Sequence, residues 1–590
     1  MTRDNARALP TSVAHRRRAG RMGGPWGMAL LLLAVAFLFI WPVVMQLMGM
    51  FRTAAPGTDG GWSLDVVARV YGSPATYRYL WNSLVYGLAT TLLATAMGAS
   101  FAFLAAHSNA WGRSLLTPVM LLVFAAPNLF YAISWSLLAD PGTGLLNLAV
   151  RTLTRPDVTL FNAYTWTGLI VVQALKLTGF CYLLLLGPFQ GMNRSFEEAS
   201  LISGAGRFTT LLRVTIPLMA PALFGVVIVG IVFGLGTFDI PQILGALANI
   251  DFLSTEIFKS ISFEVPPDYA RASALSLFVM LVLAVLLVVQ WRVLKAGRFV
   301  TVTGKSNRQN RWDLGGWRYL GTAAILLFTL FALLLPLVQL ILTSLQPTIG
   351  VYKFSLANYQ AVFRDRQTVQ AFSTTGLLAV SAGLLAMLLA ALLGHVGRHA
   401  PRWIERYLDS ATLVPIIMPG VSLAVGLLWA YISIPGLRSL YGTFWLALIG
   451  VMVAVMPMAS RAVRGALAQI ARELEEAAAV SGASPLRVLW DIVIRLMSRS
   501  FLAGWLVTAI IAAGMLDVPI MLLSSTRPTV SILVYTQLLA GTPTQACALL
   551  VLLLVAVMLL AVAAAALIGL CNRLARRQVY PPIQTVSPGV

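Results

Sequence analysis

The chain has 590 residues, of which 58% are hydrophobic and 11% are charged, and its mean hydropathy is +0.83. Soluble globular proteins carry about 25% charged residues, so this composition excludes that class and indicates a polytopic membrane protein. The net charge of +21 does not require a nucleic-acid partner, because membrane proteins concentrate Lys and Arg in their cytoplasmic loops.

Apolar runs of about 20 residues recur along the chain, and each is long enough to cross a lipid bilayer as a helix. A helix satisfies its own backbone hydrogen bonds inside lipid, so we predict an all-α fold of about twelve spans. The first half contains predicted spans at 27–50, 80–106, 115–138, 166–188, 219–239 and 272–294. The second half contains predicted spans at 320–343, 371–396, 408–431, 443–460, 500–522 and 547–570.

The spans divide the chain into two six-helix units. The predicted segments are a basic cytoplasmic tail at 1–26, a first unit at 27–294, a basic cytoplasmic linker at 295–319, a second unit at 320–571 and a cytoplasmic tail at 572–590. More than twice as many Lys and Arg residues fall on the side of the two termini as on the other side, which predicts cytoplasmic termini.

A polar segment at 195–221 lies between two spans and recurs at 474–499. Both copies contain Glu-Ala and Gly-Ala at positions that are 278 residues apart. Because both units begin on the same side, we predict a parallel repeat around an axis normal to the membrane. Two like halves around one axis suggest a central pathway.

Each copy of the segment is predicted to form two short helices around a glycine corner, where Gly204 and Gly482 end the first helix. A polar hairpin that occurs twice in a membrane protein suggests a docking surface that is used twice. Arg495 and Arg499 replace Pro217 and Pro221 in the second copy. We therefore predict that the helix after the second hairpin lacks the interruption that proline causes.

The pattern Glu-Ala-(Ala/Ser)-x-x-x-Gly at 198–204 and 476–482 resembles the cytoplasmic loop of permease subunits in binding-protein-dependent ABC importers. The resemblance covers essentially the whole chain as two fused permease units of the type I importer fold. It implies that the short helix is a coupling helix, which sits in a groove of the ATPase. The implied ATPase-docking residues are Glu198, Ala199, Gly204, Glu476, Ala477 and Gly482.

The resemblance implies a transport subunit rather than an enzyme, in the bacterial plasma (inner) membrane. The implied partners are a cytoplasmic ABC ATPase dimer, which would bind ATP and Mg²⁺, and an extracytoplasmic solute-binding protein. The chain itself is expected to carry no cofactor. Gly304-Lys305-Ser306 does not have the glycine spacing of a phosphate-binding loop, which agrees with a separate ATPase.

Three charged residues in or beside the predicted spans are candidates for the pathway. Lys176 lies well inside the fourth span, and a charge within the membrane indicates function by default; the alternative is a lysine that snorkels or pairs with a polar neighbour. Asp239 and Asp517 are related by the repeat and could line the path of a cation or cap a helix break. Three cysteines form no metal-ligand spacing, and four histidines are scattered without a His-Glu-x-x-His motif, so no metal or catalytic site is predicted.

The substrate is predicted less directly than the class. Fused twelve-span permeases resemble ferric-iron importers most, with thiamine, phosphonate or polyamine importers as alternatives. A secondary transporter of two six-helix halves is another alternative, but it would not need paired docking hairpins. An intramembrane enzyme would need several catalytic polar residues in the spans, and only Lys176 lies well inside one.

Overall fold

The computed structural model describes residues 24–154, 158–193, 195–296, 313–351 and 353–579. Within these ranges every regular element is a helix, and the extended contacts are two isolated bridges, Arg52–Trp62 and Gly442–Leu523. The all-α prediction is therefore confirmed. Most of the predicted tail 1–26, most of the linker 295–319 and the end of the tail 572–590 lie outside the described residues.

The two halves contain corresponding helices in the same order. Those of the first half are α1 (Trp26–Gly49), α2 (Asp65–Gly72), α3 (Pro74–His107), α4 (Arg113–Ala125), α5 (Asn128–Leu138), α6 (Leu145–Leu153), α7 (Trp166–Gly191), α8 (Ser195–Ile202), α9 (Arg207–Gly236), α10 (Leu253–Ser262) and α11 (Tyr269–Ala296). Those of the second half are α12 (Trp317–Ser344), α13 (Ala357–Arg364), α14 (Arg366–His399), α15 (Arg402–Ala411), α16 (Gly420–Ile432), α17 (Phe444–Leu467), α18 (Arg472–Val480), α19 (Pro485–Val488), α20 (Ser498–Ala513), α21 (Asp517–Leu522), α22 (Val530–Leu539) and α23 (Pro543–Val579).

The number of spans agrees with the predicted polytopic fold. Among the described residues, nine helices are long and apolar enough to cross a membrane, and the count is eleven when each of two bent pairs is one span. The remaining predicted span, 500–522, corresponds to α20, which has only 16 residues, followed by the short α21.

The two bent pairs occupy equivalent places in the two halves. The first pair, α4 and α5, bends by 96°, and the second, which joins α15 and its 3₁₀ extension to α16, bends by 113°. Pro127 and Pro419 immediately precede α5 and α16, and both have extended backbone angles. Proline lacks an amide hydrogen and keeps the preceding residue out of the helical region, so each predicted span breaks here.

The first helix of each half packs against the other half. Gln46 of α1 donates a hydrogen bond to Ser422 of α16 at 3.1 Å, and Tyr131 of α5 donates to the carbonyl of Ala332 in α12 at 2.9 Å. Trp429 of α16 also donates to Ser273 of α11 at 2.9 Å. The two halves therefore form one interlocked helical body around a shared core.

The prediction about the helix after the second hairpin was wrong. In the first half α9 continues through Pro217 and Pro221, with a π-helical turn at Leu211–Thr215 before them. In the second half a π-helical turn at Leu489–Ile494 is followed by an interruption at Met497, before α20. A wider turn can re-pair the carbonyls that a proline leaves without a donor, so proline need not end a membrane helix.

Candidate functional site

Each repeated segment forms a helix, a glycine corner and a second helix. Gly204 follows α8 with φ +85°, and Gly482 follows α18 with φ +88°. The amide of Ala205 donates to the carbonyl of Ser200 at 3.1 Å, and the amide of Ala483 donates to that of Ala478 at 3.0 Å. These are matching helix C-terminal caps in the left-handed conformation that glycine adopts without steric cost. The predicted glycine corners are therefore present in both copies.

All six residues predicted to contact an ATPase lie on the surface. Glu198, Ala199, Gly204, Glu476, Ala477 and Gly482 are exposed. Large apolar side chains beside them are also exposed, and they occupy equivalent positions in the two copies. These are Phe196 and Ile202 in the first hairpin, and Leu474 and Val480 in the second. Ile202 is 87% exposed and Val480 is 80% exposed, which is unusual for such residues on a polar segment.

A second pair of glutamates connects the hairpins to the spans. The sequence analysis did not single out these two residues. Glu197 and Glu475 precede the predicted Glu198 and Glu476, and both are fully buried. Thr215 of α9 donates to Glu197 Oε1 at 2.7 Å. His107 Nδ1 at the end of α3 lies 3.5 Å from Glu197 Oε2. The sequence signal for these buried glutamates is the pair of adjacent glutamates at the start of each hairpin. Adjacent helical positions face different sides, so one of the two can be buried while the other is exposed.

Glu475 is held by basic residues from the last turn of α14. Arg398 Nη1 donates to Glu475 Oε1 at 2.8 Å. His395 Nδ1 and His399 Nε2 lie 2.8 Å and 3.6 Å from Glu475 Oε2. Burial acts to raise the pKa of Glu475, but the contact with His395 and the positive charges around it outweigh burial and lower that pKa. The carboxyl group of Glu475 is therefore ionised at neutral pH.

A cavity of about 310 Å³ lies between the two halves, where the bent pairs meet. Most of its wall is apolar, with aromatic, aliphatic and proline side chains from both halves. Its charged lining residues are Lys176, Asp239, Arg461 and Asp517. The three predicted pathway residues are therefore brought to one cavity, and Arg461 joins them.

Lys176 caps the end of a broken helix. Its Nζ donates to the carbonyl oxygens of Val123, Phe124 and Ala126 at 3.0, 2.8 and 2.5 Å. These carbonyls end α4 before the bend at Pro127, where the helix leaves its last acceptors unpaired. A cation is also favoured at a helix C-terminus by the helix dipole. The geometry thus gives Lys176 a structural role, which was one of its two sequence interpretations.

Asp239 and Asp517 differ in how they are held. Asp517 begins α21 and accepts a hydrogen bond from the amide of Val518 at 2.9 Å. It packs tightly on α16, since a Cβ atom on Gly420 would lie 1.7 Å from Asp517 Oδ2. Asp239 is buried, and its Oδ1 has no hydrogen-bond partner among the described residues. Asp239 therefore has a buried carboxylate oxygen that is able to accept a hydrogen bond.

The fold and these features define a class: a helical membrane protein of two like halves, with a shared central cavity and a paired surface hairpin. The chain belongs to the family of binding-protein-dependent transport system inner membrane components, whose family model matches residues 94–296 and 382–577. It is therefore an ABC importer permease in which two permease units are fused.

Two curated relatives align with more than three quarters of the chain. The chain is 25% identical over 503 residues to the ferric transport system permease protein FbpB of Actinobacillus pleuropneumoniae, covering 82% of this chain and 69% of that protein. It is 27% identical over 467 residues to the probable ABC transporter permease protein y4fN of Sinorhizobium fredii, covering 76% of this chain and 79% of that protein. The crystal structure of a bacterial ABC transporter that imports alginate aligns with 47% of this chain and 95% of its own matching chain, at 18% identity and a TM-score of 0.36.

Proposed function

We propose that this chain forms the membrane pathway of an ATP-driven importer, and that both hairpins dock on a dimer of ABC ATPase subunits in the cytoplasm. The observation that carries this proposal is the matched pair of hairpins. Each exposes Glu-Ala and a left-handed glycine at positions 278 residues apart. The ATPase subunits would bind ATP and Mg²⁺, and this chain would supply the groove-filling helices α8 and α18.

Burial of the exposed apolar residues would stabilise the complex between the hairpins and the ATPase. Burying a Val, Ile or Leu side chain contributes roughly 1.5–3 kcal/mol, so Ile202 and Val480 are suited to the centre of an interface. The backbones of α8 and α18 can be approached closely because Ala199 and Ala477 have small side chains. The buried Glu197 and Glu475 would transmit movement of each hairpin to the spans.

The docking proposal is tested with the double variant Ile202→Asp and Val480→Asp, co-expressed with the partner ATPase. We expect the membrane protein to insert normally, while co-purification of the ATPase falls by at least about tenfold, since each change opposes an apolar contact. Val265→Asp is the matched control, because Val265 is 96% exposed in the loop between α10 and α11 and lies outside the hairpins. Undiminished ATPase recovery with the double variant would contradict the proposal.

We further propose that the solute is ferric iron, delivered by an extracytoplasmic binding protein. Two observations support it: a fused relative is named a ferric transport permease, and the central cavity has carboxylates from equivalent positions of both halves, Asp239 and Asp517. Thiamine, phosphonate and polyamine remain the competing solutes. A single ferric ion is also small enough to pass through a pathway without a large binding chamber.

The solute is identified by reconstituting the permease with its ATPase and binding protein in proteoliposomes. Uptake of radioactive ferric iron should depend on ATP inside the vesicle and on the binding protein outside. Excess thiamine, phosphonate or spermidine should leave iron uptake unchanged. Uptake that follows an ion gradient without ATP would instead indicate a secondary transporter.

A further inference from the structure

Three chemically reactive side chains meet where the second hairpin touches the spans. His395 and His399 are one helical turn apart in the last turns of α14, so their side chains share one face. Glu475 of α18 faces them from the hairpin. One ligand atom from each of the three residues can be chosen so that all three atoms lie within 4.8 Å of one another.

The two innermost atoms of this cluster are close together without a hydrogen bond. His395 Nδ1 and Glu475 Oε2 are separated by 2.8 Å, yet neither atom has a partner with hydrogen-bond geometry among the described residues. The side chains are almost fully buried, at 5% exposure for His395 and 1% for Glu475. A buried imidazole nitrogen and a carboxylate oxygen that converge in this way are stabilised by a proton or a metal ion between them.

The surroundings orient these atoms as the outer shell of a metal site would. Arg398 binds the other carboxylate oxygen of Glu475 at 2.8 Å, and it also donates to the carbonyl of Ile470 at 2.9 Å. His399 Nδ1 lies 3.0 Å from the carbonyl oxygen of His395. That contact favours a proton on Nδ1 and leaves Nε2, the atom nearer Glu475, with its lone pair.

We propose that His395, His399 and Glu475 bind a divalent transition-metal ion of the Zn²⁺ or Fe²⁺ class. His395 Nδ1, His399 Nε2 and Glu475 Oε2 are the ligand atoms. Tetrahedral bonds of about 2.0–2.1 Å place donor atoms about 3.3 Å apart, and the observed separations of 2.8 and 3.6 Å bracket that value. Two imidazoles and one carboxylate are ligands that this class of metal prefers, with an open position for water.

His399 is the most exposed of the three proposed ligands. His399 is 40% exposed, whereas Glu475 is 1% exposed, so the ion enters past His399 and the open position faces solvent. A bound ion ties the end of span α14 to the hairpin helix α18. It therefore restrains the second hairpin, and this inference holds whatever solute the permease carries.

The first half supplies an internal comparison. Helices α3 and α14 both have 34 residues and end at His107 and His399. Phe103 and Ala106 then occupy the positions of His395 and Arg398. One imidazole and the carboxylate of Glu197 remain there, which is too few ligands for a closed site. The metal would restrain one hairpin of the two.

The test uses the full-length chain, purified in detergent with a tag that contains no histidine and then stripped with a chelator. Zn²⁺ binding is measured by titration calorimetry, and Co²⁺ serves as a spectroscopic probe because its visible absorption reports tetrahedral nitrogen and oxygen ligands. We expect one equivalent of Zn²⁺ per chain. His395→Phe, which copies the first half, should weaken binding by at least about tenfold and abolish the Co²⁺ absorption.

Two further variants separate ligand loss from misfolding. His399→Gln changes a partly exposed residue and should lose the same binding, with an unchanged elution profile and melting temperature in the absence of metal. His107→Gln is the matched control in the first half and should bind as the unmodified chain does. An anaerobic titration with Fe²⁺ decides between the two metals. Equal binding by the unmodified chain, His395→Phe and His399→Gln, or no binding by the unmodified chain, overturns the proposal.

Discussion

At the scale of single residues, the charged groups in the central cavity differ in how their polar atoms are paired. Lys176 is occupied by three carbonyl groups at the end of α4. Asp517 is fixed at the start of α21 and pressed against Gly420. Asp239 keeps an oxygen without a hydrogen bond among the described residues. Lys176 and Asp517 therefore lie at helix ends, whereas Asp239 has a buried oxygen that is able to accept a hydrogen bond.

Lys176→Met should destabilise the protein. The change leaves the carbonyls of Val123, Phe124 and Ala126 without their donor in an apolar wall, at a cost of about 1–3 kcal/mol. The measurement is the melting temperature of the detergent-solubilised chain, which should fall. Arg461→Met is the control, because it removes a cation from the same cavity without removing a helix cap. Equal melting temperatures for Lys176→Met and the unmodified chain, with a changed transport KM, would place Lys176 in substrate contact instead.

Gly420→Ala should displace Asp517. The added methyl group would lie 1.7 Å from Asp517 Oδ2, so the Asp517 side chain must move or α16 and α21 must separate, and overpacking of this kind costs about 1–3 kcal/mol. We expect a lower melting temperature and reduced solute uptake. Gly465→Ala in α17 is the matched control, since a Cβ atom there meets nothing within 4 Å. If both variants melt alike, the contact between Gly420 and Asp517 does not constrain the fold.

At the scale of elements, the two hairpins have similar glycine corners but different contacts with the spans. Both turn at a glycine with positive φ. The first is anchored by Glu197, Thr215 and His107 and leads into the continuous α9. The second is anchored by Glu475 and three basic side chains of α14, and the chain is interrupted again at Met497. Each hairpin is therefore held by a buried glutamate that faces a histidine near the end of a long span.

Gly204→Ala and Gly482→Ala should each weaken coupling to the ATPase. A residue with a Cβ atom pays roughly 1–2 kcal/mol in the left-handed region, although nothing within 4 Å would contact the methyl group. The corner should open and misplace α8 or α18, while insertion stays normal. The measurement is ATPase stimulation by the loaded binding protein in proteoliposomes. Stimulation equal to that of the unmodified permease would show that the corner conformation is dispensable.

At the scale of the whole molecule, helices of the two halves pack directly against each other. Helix α1 lies on α16, and α12 lies on α5. Gln242 of the first half donates to Tyr535 of the second at 3.0 Å. The central cavity exists only between the assembled halves, because its lining comes from both.

Two separately expressed chains, 1–304 and 305–590, should therefore assemble in the membrane. Tagging one should recover the other after detergent extraction. Trp429→Ala should reduce that recovery, since loss of a buried tryptophan costs about 3–5 kcal/mol and Trp429 bonds to Ser273 across the halves. Trp445→Ala is the control, because Trp445 is 62% exposed. Failure of the unmodified halves to co-purify would refute interlocking as the main connection.

Sequence alone determined the class of this protein, the repeat, the hairpin corners and most spans. The spans and the corners depend on hydropathy and on glycine conformation, which are properties of a few neighbouring residues. The repeat is found by matching positions along the chain. Tertiary structure decided that Lys176 caps α4, that α9 runs through its prolines, and that Glu197 and Glu475 are the buried glutamates. It also decided that His395 and His399, which lie one helical turn apart, meet Glu475 from a different helix. These outcomes depend on which surfaces pack together, and packing joins residues that the order of the chain keeps apart.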